Sequence, residues 1–430
     1  MAKTRQPVGL DHATTPASDQ VESARHDQST GARTSALSGR HGIGLCLSGG
    51  GYRAAMFHLG ALRRLNELGI LGQLQSVSAD SGGAIAANLL ADPRLGWPGS
   101  DRGVVQGFDE FVAVPMAALA SRNIRTPALL SRLKPSRWTM QDSAVRALAD
   151  QLAAVVPWWS GPLRDNETGG PAIFVGATDV AYGVDWIFAN PTAARPRGRI
   201  GDYRLGYAEP PADMRLADAV AASCAFPPFF APMTLNGNDL HLMASHPGDE
   251  APGQLAAVRE QIRLTDGGVY DNLALEPVWK NHRTVIVSDG GGVFRARSEH
   301  TLWGKLLQIL AIASGGGSSV RLRWLHASFA RGVMSGVTWG LDTVAPQCYP
   351  LDVVELINTV RTDLDAFSQQ EQHILERHGY HVADQAVHRY LAELVHVDAP
   401  LDPPHTDVAD PAVAALALRR SAMRTLFGRW

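Results

Sequence analysis

Between residues 41 and 290 the chain keeps returning to one local pattern: a short strand-like run, apolar in two cases, breaks into glycines, and in two places a helical periodicity follows. Ile43 to Leu47 runs into Ser48-Gly49-Gly50-Gly51, and Gln75 to Ala79 runs into Asp80-Ser81-Gly82-Gly83. Arg263 to Thr265 ends at Asp266-Gly267-Gly268, and Thr284 to Ser288 ends at Asp289-Gly290-Gly291-Gly292. Short runs bounded in this way by glycine read as strands. After the first glycine turn Met56, Leu59, Leu62, Leu65 and Leu68 mark one helical face, which Gly69 closes; Ala84 to Leu90 is a second helix. Strands joined through helices need crossover connections, so the pattern predicts βαβ units. The expected fold is therefore α/β, a mostly parallel central sheet with flanking helices. Ala172 to Ala177 and Val184 to Phe188 add strands, and Leu216 to Ala222 is a small-residue helix leading into Phe226-Pro227-Pro228.

The pattern divides the chain. Residues 1–40 are rich in Thr, Ser, Gln and Ala with few large apolar residues, and read as a disordered tail. Residues 41–300 form the expected catalytic domain. Within it, about 92–170 reads as a helical insert holding Trp97, Trp138, Trp158 and Trp159, and 234–262 as a polar surface excursion. Residues 301–400 read as a helical extension of the same domain, with Ser314-Gly315-Gly316-Gly317-Ser318-Ser319 as a flexible loop. Ser368-Gln369-Gln370-Glu371 is a capping box opening a helix that Gly379 is expected to stop. Residues 401–430 read as a basic amphipathic helix. Asp410 caps it, Val413, Leu416 and Ala417 begin its stripe, and Arg419, Arg420, Arg424 and Arg429 supply charge.

Composition excludes several classes. Lys and Arg total 39 against 42 Asp and Glu, so no chain-wide basic surface exists for nucleic acid. Cys46, Cys224 and Cys348 are too few and scattered for a disulfide framework or a cysteine-rich zinc site. Residues 1–40 hold no continuous apolar stretch of about 7–15 residues, so no secretory signal is readable. The longest apolar-leaning run, Leu307 to Ala313, falls far short of the ~20 residues of a membrane span. The expectation is a cytoplasmic chain able to sit peripherally on a membrane.

Three glycine turns can carry chemistry. Ser48-Gly49-Gly50-Gly51-Tyr52-Arg53 leaves N–H groups at a helix N-terminus, where a phosphate or an oxyanion can bind. Gly49-x-Gly51-x-x-Ala54 also meets the loose dinucleotide fingerprint, with Asp80 as its acid, and a tight turn without ligand is the plainer alternative. Ala79-Asp80-Ser81-Gly82-Gly83 resembles a nucleophile elbow in which alanine replaces the first glycine, although Ser81 can also be a plain helix cap. Asp266 stands at a strand end, where open α/β sheets place their sites; an Asx-turn is the plainer account, and Asp289 competes for the role. His282, His300 and His326 follow Asp266, so a Ser-Asp-His order is formally available, while His378 and His381 look like surface residues.

Taken in order, these segments resemble the patatin-like phospholipase family of serine–aspartate hydrolases. Leu47 to Ala54 is similar to its glycine-rich oxyanion loop, Ala79 to Gly83 to its elbow, and Asp266-Gly267-Gly268 to its aspartate motif. Ala221 to Pro227 is similar to the segment preceding that aspartate. The resemblance implies a dyad without histidine. Ser81 attacks a lipid ester and Asp266 takes its proton; in the oxyanion loop of Gly49, Gly50, Gly51 and Arg53, the N–H groups of Gly50 and Gly51 hold the oxyanion, and Arg53 adds positive potential or anchors the loop. It implies no cofactor and no metal, a phospholipid or other acyl-lipid substrate, and no nucleic-acid partner; the 92–170 insert becomes a wall or lid for acyl chains. Two other functions fit parts of the pattern: a dinucleotide-dependent oxidoreductase using Gly49, Gly51 and Asp80, and a non-catalytic lipid-binding protein in which Ala79 has spoiled the elbow.

Overall fold

The computed structural model describes residues 40–99, 103–133, 141–165, 169–192, 198–243, 245, 252–291 and 302–422. Most of the expected tail (1–39), Trp138 and the end of the chain (423–430) lie outside these residues. The strands are β1 (Ile43–Leu47), β2 (Leu74–Ala79), β3 (Ala172–Asp179), β4 (Val184–Ala189), β5 (Ile200–Asp202), β6 (Gly206–Ala208), β7 (Met233–Leu235), β8 (Ile262–Asp266), β9 (Thr284–Asp289) and β10 (Ser335–Gly340). They form one sheet in the order β10-β9-β1-β2-β3-β4-β5-β6, and β8 pairs both β3 and β7.

The α/β class with flanking helices is as the sequence predicts. The strands from β10 to β3 run parallel, and every other pair is antiparallel, so the sheet is mixed. β1 is buried along its whole length, as a parallel strand covered on both faces must be. Its side chains alternate between two cores. Leu45 and Leu47 join the core that also holds Phe57, Leu62, Ile85 and Ile374. Cys46 faces the other way, with Val285, Val287, Leu322 and Phe329.

Three local expectations are corrected. Ser314 to Ser319 is not a loop: it lies inside the Leu302–Ala330 helix. Glycines cost a helix about 1 kcal/mol each, but Leu322, Leu325 and Phe329 anchor the segment on the sheet, and tertiary packing outweighs that cost. Gly379 does not stop its helix either. The capping box forms, with Ser368 N donating to Glu371 at 2.7 Å, yet the helix runs from Gln369 to Tyr390. Here it crosses the Gly51–Glu67 helix backbone to backbone: a Cβ on Gly379 would lie 1.9 Å from Phe57 O, and one on Gly60 would lie 1.8 Å from Glu376 O. His378 and His381 are buried at this crossing, not on the surface.

The sequence reading also passed over β5, β6, β7 and β10, which are short or glycine-containing and carry no alternation to read. The described residues within 92–170 are mainly helical, with helices Val114–Ala120, Arg125–Leu130 and Ser143–Val155. Their buried side chains and Trp159 belong to the main core. The C-terminal helix spans Pro411–Ala422, and Asp410 accepts from Ala412 N at 2.8 Å. Ala414, Ala417 and Leu418 dock it on the domain, leaving Val413 and Leu416 outward.

Candidate active site

Two strands that run toward one another along a shared neighbour create the site. β2 lies parallel to β3 and ends at Ala79, opposite Val175. β8 lies antiparallel on the same edge of β3 and ends at Asp266, opposite Ala177. Only Gly176 separates the two ends, so residues following β2 and closing β8 are forced together. Ala79 is an ordinary paired strand residue, matched to Leu47 as well, and is fully buried; alanine is therefore accommodated where elbows usually carry glycine.

Ser81 sits immediately after β2 with φ 50° and ψ −118°, a strained backbone at the N-terminus of the Gly82–Leu89 helix. The turn is tight: a Cβ on Gly82 would fall 2.1 Å from Gly51 O, so the elbow and the first glycine loop touch through their backbones. Ser223, at the end of the Leu216–Ser223 helix, braces both halves. Its Oγ accepts from Ser81 N at 2.8 Å, and its carbonyl accepts from Gly267 N at 3.3 Å.

Asp266 is buried. One carboxylate oxygen, Oδ1, accepts from Gly268 N at 2.8 Å; Oδ2 is buried without a completed hydrogen bond. Burial pushes the carboxyl up to about 7, held back by the Gly268 N–H and by the nearby Ser81 hydroxyl. Ser81 and Asp266 are thus neighbours. Asp289 is engaged in its own turn, accepting from Gly291 N at 3.0 Å. His282 bonds Ser76 Oγ at 3.0 Å and His326 bonds Thr338 Oγ1 at 2.8 Å, so neither is a partner of Ser81; His300 lies outside the described residues.

Among the oxyanion candidates the structure separates open donors from occupied ones. Gly49 N donates to Asn272 O at 3.0 Å and Tyr52 N to Asp363 O at 2.9 Å. Between them, the N–H groups of Gly50 and Gly51 enter no hydrogen bond among the described residues. The Arg53 guanidinium turns away to the carbonyls of Val360 (2.8 Å) and Gly291; it anchors the loop. His58, which sequence reasoning missed, supports the loop from below. Its Nε2 bonds Ser48 O and its Nδ1 bonds Ser288 Oγ, both at 2.9 Å. Burial pushes His58 down to about 4, so it is neutral. Asn272 was missed too: it fills the space between Gly49, Gly268 and Gly291. Nothing in its local sequence marks it, because only the fold brings those glycines around it.

Asp80 is not available to a ribose. Its carboxylate is buried against Gly176, where a Cβ would lie 2.1 Å from Asp80 Oδ1 and 3.2 Å from Asp185 Oδ1. Burial first, then Asp185, Asp271 and Asp266, push its carboxyl well above the ordinary range. As for metals, His373, His405 and Asp407 come close together among the described residues. The two imidazoles, however, stack 3.7 Å apart at 10°, and parallel rings cannot both aim in-plane lone pairs at one ion.

The sequence pattern of the family described as patatin-like phospholipase matches residues 45–279, a span that includes the 49–53 loop, Ser81 and Asp266. No curated protein matches by sequence. Among solved structures, human GIVD cytosolic phospholipase A2 is similar with a TM-score of 0.46 at 12% identity, over 90% of this chain and 63% of that one. The same enzyme in complex with methyl gamma-linolenyl fluorophosphonate gives 0.45 at 13%, over 91% and 62%. VipD from Legionella pneumophila gives 0.33 at 14%, over 89% and 74%. The chain thus spans less than two thirds of the human enzyme's length.

Proposed function

We propose that this chain, which belongs to the patatin-like phospholipase family, hydrolyses carboxylic esters of phospholipid or another acyl lipid through Ser81 and Asp266. The observation that carries this is the meeting of the β2 and β8 ends at Gly176, beside two unoccupied amides. Ser81 Oγ attacks the ester carbonyl as its proton passes to Asp266. The Gly50 and Gly51 N–H groups, at a helix N-terminus, stabilise the oxyanion. The intermediate collapses, breaking the ester C–O bond, and the leaving alcohol takes the proton from Asp266. Water then gives its proton to Asp266 and attacks the acyl-enzyme, and the released Ser81 oxygen recovers that proton. The three cysteines are unpaired, which supports a reducing, cytoplasmic setting.

A fluorophosphonate probe is expected to label the wild-type protein, with the modified peptide mapping to Ser81. No label, or a label elsewhere, would overturn the proposal. The pH profile is a second test. Asp266 must be ionised to accept a proton, so kcat/KM for a soluble ester should climb tenfold per pH unit below about 7 and level off above it. Stability follows the opposite course. A carboxyl whose folded pKa is raised contributes most below its unfolded value and loses that contribution as pH rises through the folded one. Asp266→Asn should therefore gain stability relative to wild type between about pH 4 and about pH 7, as read by urea unfolding.

A further inference from the structure

The Leu302–Ala330 helix presents two unlike sides. Inward, Leu322, Leu325 and Phe329 are buried on the sheet. Also on this side, Arg321 pairs with Asp271 at 3.4 Å and lies 4.9 Å over the Tyr270 ring, in the segment that follows Asp266. Outward, Leu302, Ile309, Ile312, Val320 and Trp324 are 40–72% exposed. At 3.6 residues per turn these five fall within about 120° of one another. Lys305 and Arg323 are exposed on the same face. An apolar face pointing at solvent along a long helix is uncommon in a monomer and marks an interaction surface.

Charge identifies the occupant. From His300 to Leu341 the chain contains no Asp or Glu, while Lys305, Arg321, Arg323 and Arg331 lie within it. Joined to a second copy through this face, the helix would set cations against cations with no acid to pair them. An anionic lipid surface satisfies both properties: the aliphatic side chains enter the acyl boundary, and Lys305 and Arg323 meet the head groups. Trp324, packed edge-to-face on Trp279 at 4.7 Å, supplies the amphipathic aromatic that such interfaces favour. No helix among the described residues is long and apolar enough to cross a membrane, so this one lies on the surface.

We infer that the outward face of the Leu302–Ala330 helix docks the protein on bilayers containing anionic phospholipid. The C-terminal helix, a second candidate for membrane contact in the sequence, instead docks Ala414, Ala417 and Leu418 on the domain. Docking would hold the bilayer about one helix diameter, ~10 Å, from the segment that follows Asp266. The biological sense of the inference rests on the lipid-hydrolase proposal; its test does not.

The full chain carrying Ser81→Ala, which leaves lipids intact, is sedimented with vesicles of phosphatidylcholine and phosphatidylglycerol, and with phosphatidylcholine alone. It should pellet with the mixed vesicles, more weakly with the neutral ones, and less as salt is raised. Adding Ile309→Asp and Val320→Asp should lower the apparent partition about tenfold or more. Both positions are exposed, so melting temperature and circular dichroism should match the parent and show that the variant is folded. Lys305→Glu with Arg323→Glu should remove the preference for the anionic vesicles. Failure of the parent to pellet, or equal pelleting by the aspartate variant, overturns the inference. So does a dimer, seen by light scattering, that the aspartate variant dissolves, since the face would then join two copies. Vesicle binding by this variant, together with no ester hydrolysis by the wild-type protein, would keep the docking face and remove the hydrolase proposal.

Discussion

Alanine at position 81 is expected to lower kcat/KM for ester hydrolysis by about 10⁴-fold or more, close to the loss seen when any nucleophile acting as part of a unit is removed. No neighbouring hydroxyl can substitute. The Ser223 oxygen is held by the Ser81 N–H at 2.8 Å, and the Ser48 hydroxyl accepts from Gly290 N at 2.8 Å. Asp266→Asn should cost a comparable factor, because the amide keeps the shape but accepts no proton, and the two losses together should be far from additive. Backbone geometry supplies a separate check. Ser81 carries φ 50°, a conformation that strains any residue with a Cβ by about 1–3 kcal/mol. Ser81→Ala keeps that strain, whereas Ser81→Gly should relieve it, raising stability by about 1 kcal/mol while abolishing activity. Kinetics on a short-chain ester paired with thermal melts would test both halves. Retained activity in Ser81→Ala ends the nucleophile assignment, and a Ser81→Gly variant no more stable than Ser81→Ala ends the strain argument.

Valine at position 379 is expected to destabilise the fold by more than about 3 kcal/mol, or to prevent soluble expression altogether. A Cβ there would lie 1.9 Å from the Phe57 carbonyl oxygen, so the two helices would have to separate. The partner position repeats the constraint, since a Cβ on Gly60 would lie 1.8 Å from Glu376 O. A glycine in a solvent-exposed helix interior behaves in the opposite way: alanine there stabilises by about 1 kcal/mol. Gly379→Ala therefore discriminates sharply. Loss of stability in urea unfolding supports the backbone crossing, and a gain refutes it. Because the Gly51–Glu67 helix begins at the Gly49–Gly51 loop proposed to hold the oxyanion, a milder variant that still folds should also lose activity.

Some elements were legible because their cause is local. β1 is an apolar run and β2 a shorter mixed one, each closed by a glycine-containing turn, and both end as expected at Leu47 and Ala79. The capping box at Ser368 forms because its two partners lie three residues apart. Ser81, Asp266 and the glycine loop were recognisable for the same reason, each being a short signal at a strand end. What went unread depended on partners remote in the chain. Ser314 to Ser319 looks like a loop until Leu322, Leu325 and Phe329 are seen anchored on the sheet. Gly379 looks like a stop until Phe57 is found against it. His58, Ser223 and Asn272 carry no motif of their own, since each acts through a backbone group brought to it by folding.

The amino-acid order by itself determined the fold class, the strand ends and the chemical types gathered there: a hydroxyl, a carboxylate and glycine-flanked amides. Those follow from apolar periodicity and from the few residues able to make a sharp turn, which are nearest-neighbour physics. Only the tertiary structure decided that β8 runs against β2 along β3, and hence that Asp266 rather than Asp289 reaches Ser81. It also decided which distant carbonyls engage Gly49 N and the Arg53 guanidinium, those of Asn272 and of Val360 and Gly291. Both are matters of pairing direction and hydrogen-bond competition between distant segments, and no stretch of sequence contains both competitors.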